Sequence, residues 1–230
     1  MPAASRLTRR FRSRPSAAKD VGKFKQALVQ AGVPLGGPEA KFAQVGRKTL
    51  AAMIDSGLAP GHVVVDVGAG SLRIGWWLLH YIEPRNYHAI EPLRERVDTA
   101  ARLLGADINV YDNDDFLFPD VAFDFVVARS VWTHASKGQI STMISEFASK
   151  SAPGAAFLAS MRPAQDEDED YTGDAWVGKG VGSDEPGMVR HSFSWLESEC
   201  ARYGLTLKDK GEFNRQTWVL LKSGRRRSRA

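Results

Sequence analysis

An aspartate and two glycines stand where a run of apolar residues ends. Three valines at 63–65 lead into Asp66, and Gly68 and Gly70 follow directly. A continuous apolar run that ends in a glycine-rich turn predicts a buried parallel strand, followed here by a helix over residues 72–82. Glycine lets the backbone come close to a ligand, and the free N–H groups at a helix start suit an anionic group. The stretch therefore predicts a binding site for a nucleotide-like cofactor.

The spacing within this turn separates two classes of cofactor. A dinucleotide-binding turn has glycine or alanine at the position of Arg73, and Asp66 would lie near a pyrophosphate and repel it. A cofactor with an amino-acid tail fits better, because the turn amides can bind its carboxylate while Asp66 faces its ammonium. The turn therefore predicts S-adenosylmethionine over NAD, with a tight turn that binds no ligand as the alternative. The turn residues assigned to the cofactor are Gly68, Ala69, Gly70 and Ser71.

A single acid follows the second predicted strand. Residues 87–90 predict this strand, Glu91 stands at its carboxyl end, and Pro92 opens the next helix. An acidic residue about twenty positions beyond the glycines can accept hydrogen bonds from both hydroxyls of a ribose. The competing interpretation is an acid that stabilises the helix dipole. The position favours ribose binding.

The third predicted strand leads into an acidic run. Residues 108–111 predict the strand, and Asp-Asn-Asp-Asp follows at 112–115. One acid of this run, Asp114 or Asp115, can accept a hydrogen bond from the amino group of an adenine. Most of the run is otherwise expected to be a solvated turn.

A fourth predicted strand follows the first three and is the last feature on which a family resemblance rests. Phe-Asp-Phe-Val-Val-Ala at 123–128 is followed by Arg129 and by Ser-Val-Trp-Thr-His, which ends at His134. With the glycine turn and Glu91, this strand makes the sequence resemble the class I S-adenosylmethionine-dependent methyltransferases over roughly residues 40–222. The Gly-Ser-Leu-Arg and Ser-Val-Trp-Thr-His segments resemble, more narrowly, a bacterial subgroup of small-molecule-type methyltransferases.

The resemblance implies a role for each motif. Asp66, Gly68 and Gly70 would hold the methionine end of the cofactor, Glu91 the ribose, and Asp114 or Asp115 the adenine. Leu72 stands where the family usually has a third glycine. Two arginines join the cofactor-binding set: Arg73, which can pair with the cofactor carboxylate or be an exposed helix residue, and Arg129.

His134 is the candidate catalytic residue. Methyl transfer from a sulfonium is an in-line displacement, so the protein has to align the acceptor and, for a hydroxyl acceptor, remove a proton. His134 follows the fourth strand closely enough to be that base, or it packs at a helix start. His191 is a second candidate, and His62, His80 and His88 are expected to be structural.

The alternation of strand and helix signals predicts the fold class. We expect an α/β protein with an open, mostly parallel twisted sheet, helices on both faces and an antiparallel last strand. One domain over residues 26–222 is expected between basic tails at 1–25 and 223–230. A polar insertion at 162–191 is placed to cover the acceptor site, with Tyr171 and Trp176 as its apolar walls.

Composition and charge limit the compartment and the binding partners that we expect for this chain. The chain has 230 residues, one cysteine and no apolar run of membrane-spanning length, so we expect a cytoplasmic protein without disulfides or a metal site. The first 25 residues carry eight Lys/Arg against one acid, and the last nine carry five and no acid. Such tails predict either weak contact with nucleic acid or an anionic surface, or disordered solubilising ends. An organellar transit peptide is a further alternative for the N-terminus.

The absence of several motifs narrows the range of reactions that the chain could catalyse. The lone Cys200 falls late in a predicted helix, which argues against pyrimidine carbon-5 methylation. The Asn/Asp-Pro-Pro-Tyr/Phe motif of amino-methylating nucleic-acid enzymes and the motifs of hydrolases are absent. What remains is methylation of an O or N atom of a small molecule, sugar or lipid-linked precursor. The alternatives are an RNA or protein methyltransferase that docks through its basic tails, and a non-catalytic nucleotide-binding member of the fold.

Overall fold

The described residues form a seven-stranded sheet in the order β3-β2-β1-β4-β5-β7-β6. The computed structural model describes residues 19–37, 39–178 and 187–223. The strands are β1 (Val64–Val67), β2 (Tyr87–Ile90), β3 (Asn109–Tyr111), β4 (Phe123–Ala128), β5 (Ser151–Met161), β6 (Leu205–Phe213) and β7 (Gln216–Ser223). Strands β1 to β5 pair in parallel, whereas β7 is antiparallel to β5 and β6. The predicted fold class is confirmed.

Helices cover both faces of the sheet. They are α1 (Val21–Gln30), α2 (Phe42–Asp55), α3 (Gly75–Leu78), α4 (Arg94–Leu104), α5 (Lys137–Lys150) and α6 (Phe193–Arg202), with short 3₁₀ turns over Glu39–Lys41 and Pro84–Asn86. Alternate residues of β4 point to opposite cores: Phe125 and Val127 pack with α1 to α4, and Val126 and Ala128 pack with α5 and α6. Burial on both faces explains why the central strands are almost entirely apolar.

Two helices differ from the sequence prediction. Helix α1 was not predicted, although it takes in residues 21–25 of the expected basic tail and buries Phe24 and Leu28. Asp20 caps it by accepting from two backbone N–H groups. The long helix predicted over 72–82 is wrong, because only α3, with four residues, is helical. Leu72 has a φ of +56°, so the turn continues past the glycines before any helix can begin.

The insertion is anchored at both of its ends. Isolated parallel bridges join Pro163 to His191 and Asp170 to Arg190. The Asp170 carboxylate accepts from Lys137 Nζ at 2.8 Å and from the backbone N–H of Ser192 at 3.0 Å, which ties the insertion to α5 and α6. Its residues 179–186 lie outside the described residues, as do most of the two basic tails predicted at 1–25 and 223–230.

No helix within the described ranges is long and apolar enough to cross a membrane.

Candidate active site

A cavity of about 340 Å³ opens at the carboxyl ends of β1, β2 and β4. This is the edge where parallel α/β sheets bind their ligands. Eight of the eleven residues that the sequence assigned to the site line this cavity. They are Gly68, Ala69, Gly70, Ser71, Arg73, Glu91, Arg129 and His134. Asp66, Asp114 and Asp115 are not among its lining residues.

The glycine turn needs glycine at Gly68 and Gly70. Their φ angles are +69° and +58°, in the left-handed region, and a Cβ on Gly68 would lie 2.8 Å from Val131 Cγ2. Three of the four turn amides expected to bind a cofactor carboxylate are already used by the protein. Gly68 N and Ala69 N both donate to the carbonyl of Ile90, and Gly70 N donates to Glu91 Oε2. The expectation is therefore wrong for these three amides, which hold the turn against the end of β2, and it stays a prediction for Ser71.

Glu91 is buried and held in a fixed orientation at the cavity wall. Its Oε2 accepts from Gly70 N at 2.9 Å, and its Oε1 lies 3.7 Å from Arg96 Nη1. Arg96, which the sequence analysis did not identify, also donates twice to the carbonyl of Pro34. Its Oε1 also accepts from Leu93 N at 3.4 Å, so about two of the four lone-pair positions of the carboxylate remain for a vicinal diol.

Asp66 lies beneath the cavity and not in its wall. Its side chain is 1% exposed, its Oδ2 accepts from Tyr87 Oη at 2.6 Å, and its Oδ1 has no hydrogen-bond partner. Burial raises the pKa of Asp66 to about 7, with a smaller contribution from the charge of Glu91 and against the effect of the Tyr87 hydrogen bond. The carboxyl group is therefore poised to change its charge near neutral pH.

This burial predicts a pH-dependent stability that Asp66→Asn removes. The folded-state pKa of about 7 exceeds the ordinary value of 3.8, so the folded protein holds the proton more tightly than the unfolded chain. The free energy of unfolding should then fall as the pH rises from about 5 to about 7, by roughly 2 kcal/mol relative to the Asn variant. Urea denaturation across this pH range measures the difference. Asp98→Asn on α4 is the control, and parallel profiles for wild type and Asp66→Asn would contradict the assignment.

The acidic run after β3 contributes Asn113 in place of Asp114 or Asp115. Both acids are exposed, whereas Asn113 lines the cavity. The Asn113 amide nitrogen donates to Asp115 Oδ1 at 2.7 Å and to the carbonyl of Leu117 at 3.0 Å, which orients the amide group. Asn113 Oδ1 is left buried without a partner. The free acceptor at this position is therefore an amide oxygen, with Asp115 as its positioning residue.

Arg73 and Arg129 bring guanidinium groups to the cavity. Arg73 is buried, donates to the carbonyl of Leu35 at 2.7 Å and lies over the ring of Phe42, so its interpretation as an exposed helix residue is wrong. Burial lowers its pKa, and the nearby Arg96 lowers it further. Arg129 follows β4 directly, and burial together with the charge of Arg73 lowers its pKa to about 10.

His134 is held in the geometry of a base. Its Nδ1 lies 2.6 Å from the carbonyl of Val177, which can only accept, so Nδ1 carries the proton. Its ring stacks on Trp176 at 5.4 Å between centroids, and Trp176 also stacks on Phe116 at 5.9 Å. Nε2 makes no hydrogen bond to any described residue. With Nδ1 bonded to this carbonyl, Nε2 is the ring nitrogen left to interact with a ligand.

Solved structures of methyltransferases superimpose on this chain at low sequence identity. A magnesium protoporphyrin IX methyltransferase from Synechocystis PCC 6803, with bound S-adenosylhomocysteine, is 14% identical over 90% of this chain and 97% of that chain, with a TM-score of 0.59. A 1,6-didemethyltoxoflavin-N1-methyltransferase from Burkholderia thailandensis is 13% identical over 90% and 86%, with a TM-score of 0.58. An amino pentose methyltransferase from Micromonospora echinaspora is 12% identical over 81% and 92%, with a TM-score of 0.56. No family model and no curated protein sequence matches the chain.

The chain has the class I methyltransferase fold. Within this methyltransferase fold, the glycine turn, Glu91 and the segment that leads to His134 follow β1, β2 and β4, which are neighbours in the sheet. Because the three strands are parallel, their carboxyl ends meet at one edge. Residues that are far apart in the sequence therefore reach one cavity.

The insertion supplies one of its two predicted walls to the site. Trp176 lines the cavity of the methyltransferase fold, but Tyr171 does not, since its hydroxyl donates to the carbonyl of Ala175 and its ring packs on His191. His191 is 1% exposed and its Nε2 lies 3.0 Å from the carbonyl of Ala135. Burial lowers its pKa. His191 therefore joins the insertion to the protein body and is no longer a candidate base.

Proposed function

We propose that this chain is an S-adenosylmethionine-dependent methyltransferase that acts on an O or N atom of a small molecule, sugar or lipid-linked precursor. The observation that carries the proposal is a single cavity that joins a tight glycine turn, the held carboxylate of Glu91 and the imidazole of His134, whose Nδ1 lies against the carbonyl of Val177. The named acceptors of two neighbours, magnesium protoporphyrin IX and 1,6-didemethyltoxoflavin, support a small-molecule acceptor. The bacterial small-molecule subgroup and a cytoplasmic location are part of this proposal.

Three groups in the cavity support binding of this cofactor. Glu91 would accept from the ribose hydroxyls, and the buried, unpartnered Oδ1 of Asn113 would accept from the adenine amino group. Arg73, whose Nε is buried without a partner beside the glycine turn, would bind the carboxylate. When bound, the cofactor would supply a methyl group that is electrophilic because it is attached to a sulfonium.

His134 would remove the proton of the acceptor as the acceptor attacks. The carbonyl of Val177 holds the imidazole in the Nδ1–H tautomer, which would leave Nε2 free to accept the proton of the acceptor. Trp176 lies against the imidazole and limits its rotation. In this proposal Trp176 of the insertion would form a wall beside the acceptor, and Val177 would orient the base.

Glu91→Ala should weaken binding of S-adenosylhomocysteine by about 1–3 kcal/mol, which is roughly fivefold to 150-fold, because a charged hydrogen-bond acceptor is lost. Glu91→Gln should cost less, since the amide oxygen can still accept from Gly70 N. Calorimetric titration measures both, and Glu95→Ala, an exposed acid in the first turn of α4, is the matched control. An unchanged dissociation constant would leave Glu91 with only its role at the start of the helix.

A labelled-methyl transfer screen tests the proposed reaction. The full chain is incubated with S-adenosylmethionine labelled in the methyl group and with separate metabolite, glycan, protein and RNA fractions. We expect label in the small-molecule or glycan fraction, and the same activity after removal of both basic tails. Label in RNA or protein that is lost with the tails would favour the alternative of an RNA or protein methyltransferase. Absence of transfer despite cofactor binding would favour a non-catalytic member of the fold.

A further inference from the structure

The cavity carries more positive charge than its own acids balance. Three arginines line it, Arg73, Arg96 and Arg129, whereas Glu91 is the one acid among its described lining residues. Asp66 lies underneath, fully buried. The cofactor proposed for this cavity is itself a net cation, because its single carboxylate faces one ammonium and one sulfonium. Like charges at such short range are costly unless an anion separates them.

The three guanidinium groups differ in their partners. Arg96 lies 3.7 Å from the carboxylate of Glu91 and donates to the carbonyl of Pro34. Arg73 donates to the carbonyl of Leu35 beside the glycine turn. Arg129 makes no hydrogen bond and no ion pair with any described residue, although it is only partly exposed. A partly buried guanidinium group that lines the cavity and has no partner among the described residues is available to bind an anion there.

The backbone at Arg129 is held firmly in place. The next residue, Ser130, has a φ of +58°, and its N–H donates to Ser160 Oγ at 2.8 Å. Ser160 Oγ donates to Gln216 Oε1 at 2.8 Å, and Gln216 Nε2 donates to Ser130 Oγ at 2.7 Å. This closed network joins the ends of β4, β5 and β7. It holds Arg129 at the same strand end from which the chain continues to His134.

We propose that Arg129 binds an anionic group of the methyl acceptor, a carboxylate or a phosphate, while Arg73 binds the carboxylate of the cofactor. The inference rests on the proposed function and narrows its substrate class to anionic acceptors. The cofactor carboxylate carries one negative charge and can offset only one of these two positive charges, so a second anion is needed to offset the other. An anion at Arg129 also offsets the repulsion between this arginine and the sulfonium. Anion and cofactor should therefore bind with positive coupling.

Calorimetric titration with small anions tests the assignment without knowledge of the acceptor. S-adenosylmethionine and S-adenosylhomocysteine are titrated into the full chain with sodium acetate, sodium phosphate or sodium chloride at equal ionic strength. We expect acetate or phosphate to tighten S-adenosylmethionine binding to the wild type by about threefold to tenfold, and to affect the uncharged thioether much less. The stronger of the two anions distinguishes a carboxylate acceptor from a phosphate acceptor.

Three variants make the result specific. Arg129→Gln should lose the coupling and keep its affinity for S-adenosylhomocysteine within about twofold, whereas Arg129→Lys should keep part of the coupling because it keeps the charge. Arg94→Gln, which removes an exposed arginine of α4 paired with Asp98, is the control and should behave as the wild type.

Four results would overturn the inference. These are no anion effect in the wild type, an equal effect in Arg129→Gln, competition between anion and cofactor, and a tenfold or greater loss of S-adenosylhomocysteine affinity in Arg129→Gln. The last would assign Arg129 to the cofactor carboxylate. A wild type that binds neither cofactor form fails the proposed function itself, which is a separate result.

Discussion

Gly68→Val is expected to abolish binding of S-adenosylmethionine. Gly68 has a φ of +69°, which a β-branched residue adopts only at a cost, and its added Cβ would lie 2.8 Å from Val131 Cγ2. The turn would have to shift, and with it the Gly70 N–H that holds Glu91. The proposed contact of Glu91 with the ribose and that of Arg73, beside the turn, with the cofactor carboxylate should therefore both be lost. Equilibrium dialysis with labelled S-adenosylmethionine measures the loss, which should exceed about 100-fold.

A second glycine provides a control that distinguishes the effect of backbone strain from the effect of disrupting the site. Gly204 has nearly the same φ, +67°, and no atom within 4 Å of an added Cβ, and it lies outside the cavity. Gly204→Val should therefore lose stability and keep cofactor affinity. Circular dichroism shows whether each variant is folded. Normal cofactor binding by a folded Gly68→Val variant would remove the glycine turn from the site.

His134→Ala is expected to reduce turnover by about 10²–10⁴-fold, the usual contribution of a general base. Turnover is measured on the acceptor found in the transfer screen, and S-adenosylhomocysteine affinity should stay almost unchanged because no proposed cofactor contact involves His134. His134→Gln keeps a donor for the carbonyl of Val177 but has no basic nitrogen, so it should be as slow as the Ala variant. His62→Gln, outside the cavity, is the control. Full turnover by His134→Gln at several pH values would mean that alignment alone drives the transfer and that His134 is structural.

Features encoded in short apolar runs could be predicted from the sequence. Strands β2 and β4 have the predicted bounds, because strands buried on both faces are mostly apolar, with His88 and Asp124 as the exceptions here. Glu91 was placed at the cavity from its position after β2. The parallel order of β1, β2 and β4 then brought Glu91 and His134 together, as the strand–helix alternation implied.

The errors arose where distant segments decide the local structure. The sequence does not show that the amides of Gly68 and Ala69 are occupied, because their acceptor is the carbonyl of Ile90 at the end of another strand. The sequence favours the acidic neighbours of Asn113 as the acceptor for adenine, because only the folded turn shows that Asp115 orients the Asn113 amide. Arg73 depends on Leu35, which lies 38 positions earlier in the sequence, for its buried position.

The insertion shows the same limit. Its position after β5 predicted a wall over the acceptor site, and Trp176 lines the cavity. Tyr171 was expected there for its aromatic ring alone, but the ring packs on the buried His191. Composition shows which residues of the insertion could form a wall of the site. Which of them line the cavity depends on how the insertion is anchored, here by the bridges from Pro163 to His191 and from Asp170 to Arg190.

Calorimetric titration of the purified chain with S-adenosylhomocysteine and with NAD tests the central claim most directly. A turn that ends in Arg73, a carboxylate at Glu91 and an unpartnered amide oxygen at Asn113 predict one site for S-adenosylhomocysteine and no measurable heat of binding with NAD. Binding of NAD with similar affinity, or no binding of S-adenosylhomocysteine to the folded protein, would contradict the account.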